Sequence, residues 1–250
     1  MHTIKDVVIR LEEIVQHCAN ENKRAGYFAA LYKRMTLAVA EGIKHGMFED
    51  GARMEKLDVN FATRYIDAYD AYYAGRPCIA SWKFVFDNCA GDKLIVLQHL
   101  LLGINTHINL DLAIASAVTA PGNGINALQN DFNRINQVIA ALIDDVQECL
   151  CQVWFPMRVL AKIANGRQMS VLNFSIDKAR ETSWANAVLL ASISVDMQPG
   201  YIHQMDTAVK AVGSKIFSPG MMMNFILKAI HETEYDDISR TINLINTTIV

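Results

Sequence analysis

LIVLQHLLLGINTHINLDLAIASAVT, Leu94–Thr119, is the stretch that decides the fold. It contains no Lys, Arg or Glu, and with the residues up to Pro121 it runs about 28 residues, long enough to cross a bilayer. Gln98, His99, Asn105, His107, Asn109 and Asp111 interrupt it, and each is costly in hydrocarbon. A helix enclosed by other helices is the better reading, with no membrane as partner. At about 100° per residue, His99, Gly103, His107 and Asp111 form one drifting stripe. Gln98, Asn105 and Asn109 form a second, and Leu100, Leu101, Ile104, Ile108 and Leu112 fill the arc between them. Apolar residues on all sides mark a buried helix.

Working outward, apolar residues recur at helical spacing almost everywhere, and alternation of period two is hard to find. Helices are predicted over residues 4–18, 27–45, 54–73, 81–87, 94–119, 125–150, 154–164, 175–194, 201–217 and 221–244. Gly75 with Pro77, Pro121-Gly122, the polar turn 165–170 and Ser218-Pro219-Gly220 separate them. No solenoid period and no low-complexity linker divides the chain. The fold class is therefore all-α: one bundle-like domain over residues 1–250, with about eight to ten helices around a buried central one.

The chain has 250 residues, 52% of them hydrophobic, and a formal charge of −3. That composition supports a large core and excludes wholesale disorder. It offers no basic face for a string of phosphates, so nucleic acid is not an expected partner. The cysteines at 18, 78, 89, 149 and 151 are odd in number and contain no CxxC pair, which reads as free thiols in a reducing cytoplasm. The opening MHTIKDVVIRLEEIV lacks the pattern of a signal peptide, so a cytoplasmic location is expected.

Buried polar groups cost about 1–3 kcal/mol each when unpaired, so the central stripes must engage something. His99 and His107 are about 12 Å apart along the axis and cannot readily share one ion. His107 and Asp111 are one turn apart and can converge, much as i, i+4 histidine pairs do. A divalent metal there would need further ligands from other helices, with Asp58, His203, His231 and Glu232 as candidates. A structural network explains the same residues without any ligand. Gly103 hints at close approach by a backbone or a ligand.

From His99 to Leu112, HLLLGINTHINLDL resembles the signature of a bacterial family catalogued as a domain of unknown function, family 5995. YFAALYKRMTLAV (Tyr27–Val39), the block Phe48–Pro77 and NFSIDKARETSWANAVLL (Asn173–Leu190) are similar to its other segments. The resemblance covers most of residues 25–215, which leaves residues 221–250 as a C-terminal helical extension. It implies a fold and a site position but carries no activity.

Side chains in those blocks complete the candidate site. Asp58, Arg64 and Tyr65 share one helix, and Arg180 and Trp184 are i, i+4 neighbours on another. Arg64 or Arg180 could pair Asp111 or hold a carboxylate or phosphate, while Asp58 reads equally as a helix cap or an arginine partner. Trp184 and Met221-Met222-Met223 read most simply as core, and the acidic cluster around His231-Glu232 as a solvated face. Cys149 and Cys151 lack a histidine partner and read as inert. No GxSxG, HExxH, P-loop or GxGxxG sequence occurs.

Two function classes stand. One is a small-molecule enzyme, with hydrolysis as the first reaction type considered. There His107 would be base or metal ligand, Asp111 would orient it, and Asn105 or Asn109 would polarise a carbonyl, with His99 nearby on the stripe. The other is a ligand-binding or structural protein whose buried His/Asn/Asp network only fixes packing. A homodimer is left open, although no heptad seam specifies one.

Overall fold

The N-terminal helix α1 (Ile4–Asn20) starts on a capping box, in which Thr3 Oγ1 accepts from the Asp6 N–H while Asp6 accepts from the Thr3 N–H. The computed structural model describes residues 1–135, 138, 167–234 and 236–247. Next come α2 (Ala25–Lys44), α3 (Gly51–Tyr73), α4 (Ala80–Cys89) and α5 (Val96–Thr106). A π-helical turn, His107–Asp111, joins α5 directly to α6 (Leu112–Thr119). Residues 125–135 are helical. Then follow α7 (Arg167–Ser192), α8 (Gln198–Phe217), α9 (Met221–His231) and α10 (Ile238–Asn246). The described residues contain no strand. The fold is all-α, as the periodicity predicts.

Two apolar clusters fill the interior. The first lies among α1 to α5 and α10 and includes Leu11, Ala30, Ala62, Trp82, Leu100 and Ile242. The second joins the start of α3 to α6, residues 125–135, α7 and α8, through Met54, Leu110, Ala113, Phe132, Leu190 and Val209. The central helix threads both, α5 in the first and α6 in the second, so the π-turn falls at their junction. Its most apolar 18-residue window is 72% buried against neighbouring helices. That enclosure accounts for a helix with the length and apolarity of a membrane span.

Three carboxylates from late in the chain cap helices from earlier in it, satisfying N–H groups that a helix start leaves open. Asp131 accepts from the N–H groups of Glu49 and Asp50 at the start of α3, and from Arg53. Asp206 accepts from the N–H groups of Ala80 and Ser81 at 2.8 Å. Glu234 accepts from the Val96 N–H at the head of the central helix. Glu234 is therefore half-buried and engaged, which corrects its reading as part of a solvated face.

Other expectations change as well. The stretch read as one helix over 221–244 breaks in two, because Asp237 caps a new start by accepting from the Arg240 N–H. The break lets α10 turn back onto α1 and α2. The polar turn expected at 165–170 is helical from residue 167. Met221 and Met223 are exposed rather than core. Helix 154–164, the remainder of helix 125–150, and Cys149 and Cys151 lie outside the described residues.

Gly103 lets α5 approach α2. A Cβ there would lie 2.4 Å from Cγ and Cδ2 of the Phe28 ring, a clash that only movement of the ring could relieve. Gly103→Ala should therefore cost about 2–3 kcal/mol through overpacking, outweighing the roughly 1 kcal/mol helix-propensity gain. Urea unfolding checks this through a lower midpoint at unchanged slope.

Candidate functional site

At the junction of the two cores, Asp111 has no solvent exposure and accepts three hydrogen bonds from three elements. Trp82 Nε1–H on α4 donates to its Oδ2 at 2.8 Å, and the His107 Nδ1 pairs with the same oxygen at 3.0 Å. Arg64 Nε on α3 donates to Oδ1 at 3.3 Å. A carboxylate acceptor on Nδ1 selects the tautomer with the proton there, leaving the lone pair on Nε2. The π-turn that carries both residues closes with the Leu112 N–H donating to the His107 carbonyl. Such single-turn insertions recur at functional sites.

Aromatic rings enclose His107. Phe61 stacks on it with centroids 3.6 Å apart and planes 8° from parallel. Tyr32 meets it edge-on at 4.3 Å, and Phe28 and Tyr65 lie farther out at 5.7 and 6.2 Å. His107 is 3% exposed, and its Nε2 has no hydrogen-bond partner among the described residues. Burial lowers its pKa, and the bond to Asp111 opposes that shift, so the ring is neutral at physiological pH.

Further buried polar groups lie on α2 and α3. Tyr32 Oη and Tyr65 Oη, on rings beside His107, are buried, and Tyr32 lies within reach of the Thr36 hydroxyl; Asp58 Oδ2, on α3, is buried without a hydrogen bond among the described residues. Burial pushes the Asp58 carboxyl up to about 7, with the charge of Glu55 adding to the effect. Asp58 sits inside α3, where it caps no helix and pairs with no arginine among the described residues; Asp50 provides the cap instead. Burial also raises both tyrosines, and the charges of Asp58 and Asp111 act on Tyr32.

The remaining candidates lie elsewhere. His99 is at the far end of the stripe, with Nδ1 3.8 Å from Cys89 Sγ and its ring edge-on to Tyr27. Burial drives it down to about 3, with the positive charges of Arg24 and His231 adding. Asn105 donates to the Val209 carbonyl and accepts from Asn109, so the second stripe fastens α5 to α8. Arg180 donates to the Phe132 carbonyl and lies over that ring, away from Asp111. Trp184 packs against Phe132 as core. Of the two arginines offered, Arg64 is the one that reaches the dyad.

Trp82, Phe61 and Tyr32 escaped the sequence reading, because each is one aromatic in an amphipathic helix with no local mark of its role. Among the described residues, no three or more His, Cys, Asp and Glu side chains gather as a metal site would require. His203 and Glu232 are exposed. A groove of about 340 Å³ runs between α5, α8 and α9, lined by Leu97, Leu101, Val212, Met223 and Leu227. It is apolar and lies at the opposite end of α5 from the dyad.

A family model of unknown function matches residues 4–219. The chain belongs to that family, DUF5995. Membership takes in α1 to α8 and every residue of the His107 cluster, whereas α9 and α10 lie beyond the matched residues. The match also begins earlier than the resemblance suggested, at the first turn of α1. No curated protein and no solved structure matches the chain.

Proposed function

We propose that this DUF5995 protein is a small-molecule enzyme of hydrolytic type, with His107 as its general base. One observation carries the reading: His107 is fixed through Nδ1 on a carboxylate held by Trp82 and Arg64, while its buried Nε2 has no partner among the described residues. That arrangement supplies an oriented, neutral imidazole with an available lone pair, as proton abstraction requires. Arg64 uses Nε on Asp111 and is about one-third exposed, so its terminal nitrogens can take a carboxylate or phosphate group of a substrate. Access to the base requires the Phe61 and Tyr32 rings to move.

A second reading has its own support. Complete burial of Asp111 under three donors is also what a packing network needs, with no ligand. Turnover of a panel of small esters, amides and phosphoesters separates the two. The enzyme reading expects His107→Gln to lose activity by about 10²-fold or more while keeping the wild-type fold by circular dichroism. A wild type inert across the panel, or a variant equally active, favours the packing reading.

A further inference from the structure

Five aromatic rings surround His107, and four of them are interior. Trp82 and Tyr65 are fully buried, and Tyr32 and Phe28 are 4% and 6% exposed. Phe61 differs: it is half-buried, and it packs against both apolar clusters, at the seam where the π-turn lies. Its ring is also the one that lies flat on the imidazole, with centroids 3.6 Å apart. Tyr32 stands behind it, edge-on to Phe61 at 5.7 Å and to His107 at 4.3 Å. Of these five rings Phe61 alone borders solvent, so it moves first and Tyr32 can shift only into the space it leaves.

The helix that carries Phe61 is fastened on both sides of it. Asn60 donates to Thr119 Oγ1 on α6 at 2.9 Å, and Arg64 holds Asp111 through Nε. Opening is therefore a side-chain rotation rather than a movement of α3. The slot vacated has the size and shape of one phenyl group, bounded by the imidazole face and the Tyr32 ring. An aryl group entering it recovers the stacked and edge-on contacts that Phe61 gives up, which a saturated ring does not.

The charge beside the slot narrows the ligand. Arg64 is one carboxylate removed from the imidazole, 3.3 Å to Asp111 on one side and 3.0 Å from Asp111 to His107 on the other. Its side chain is 32% exposed, and only Nε is engaged among the described residues. The two terminal nitrogens remain for an anion.

We propose that Phe61 gates His107, and that the open site takes a small aromatic anion, its ring in the place of Phe61 and its carboxylate or phosphate on Arg64. Turnover of such a molecule rests on the His107 reading; the gate and the slot do not. Diethyl pyrocarbonate, which acylates an accessible imidazole nitrogen, reads the gate, with His107 followed by peptide mass mapping. Phe61→Ala should speed its modification by roughly tenfold or more, because the open state no longer has to be populated first. Phe61→Trp, which keeps the site filled, should slow it. Phe28→Leu, an interior change beside the same imidazole, should leave the rate near that of the wild type.

Benzoate is the ligand probe, titrated by calorimetry and by thermal denaturation against acetate, cyclohexanecarboxylate and benzyl alcohol at matched ionic strength. Benzoate alone should raise the melting temperature and protect His107 from the reagent. It should bind Phe61→Ala roughly tenfold more tightly and Arg64→Gln roughly tenfold more weakly. His107→Gln should retain benzoate binding. If that holds while the ester, amide and phosphoester panel shows no turnover, the gated slot stands and the base reading alone falls. The gate is overturned if Phe28→Leu exposes His107 as much as Phe61→Ala does. The slot is overturned if benzoate has no effect, if cyclohexanecarboxylate matches it, or if Arg64→Gln binds it like the wild type.

Discussion

Replacing Asp111 with alanine is expected to destabilise the protein by about 3–5 kcal/mol, the usual penalty for breaking a buried charged pair from one side. The carboxylate satisfies Trp82 Nε1–H, Arg64 Nε–H and His107 Nδ1 together, and Trp82 and His107 are buried away from solvent. Alanine would also leave a small cavity at the junction of the two cores. Asp111→Asn should cost less, since its amide oxygen still accepts from one donor while its NH₂ faces the others. Trp82→Phe keeps the ring and removes one donor, with an expected loss of about 1–3 kcal/mol for the unpaired carboxylate oxygen. Denaturant midpoints at pH 7 should rank the three variants in that order. Near-wild-type stability for the alanine variant would show that these bonds add nothing to the fold.

Between about pH 4 and 6.5 the two histidines of the central helix and the two raised carboxyls, Asp58 and Glu234, act in opposite directions and largely offset. Stability should therefore fall mainly below about pH 4 and above about pH 6.5, with different residues responsible for each limb. On the acid side His99 dominates. Its folded pKa of about 3 lies below the ordinary 6.5, so below pH 6.5 the unfolded chain gains a proton that the folded chain refuses. Stability is then lost as pH falls, by about 5 kcal/mol at pH 3 from the width of the shift. His107 is displaced in the same direction and adds to the loss.

On the alkaline side Asp58 and Glu234 act, both raised to about 7. Between about pH 4 and 7 the folded state keeps protons that the unfolded state has released. Their stabilising contribution is complete below the unfolded pKa and disappears as pH rises through 7. The order of magnitude is about 4 kcal/mol for Asp58 and about 3 for Glu234. Asp58→Asn should therefore flatten the alkaline limb, stabilising the protein by about 3 kcal/mol more at pH 8 than at pH 5. His99→Gln should flatten the acid limb. Melting temperatures from about pH 3 to 9 on the three proteins test this, and parallel profiles would contradict both assignments.

Much of the architecture is legible in the order of residues. A helix announces itself through local periodicity, and helix positions four apart meet whatever surrounds them. That is why the His107–Asp111 contact, the separation of His99 from His107 and the burial of Leu94–Thr119 all follow from spacing alone. The π-turn leaves no such trace, because it costs one residue of slip in a run that is apolar throughout. The break at Asp237 is hidden for a related reason: its apolar spacing reads equally well as one helix or two.

Sequence by itself determined the helices, the buried polar axis and the pair of residues most able to do chemistry on it, since all three follow from spacing along a single helix. Tertiary structure decided that Arg64 and not Arg180 completes the pair, and that Trp82, Phe61 and Tyr32 hold it. Those contacts join α2, α3 and α4 to the central helix, and packing alone sets them. Nothing in the local periodicity of one helix records which face of another it will meet.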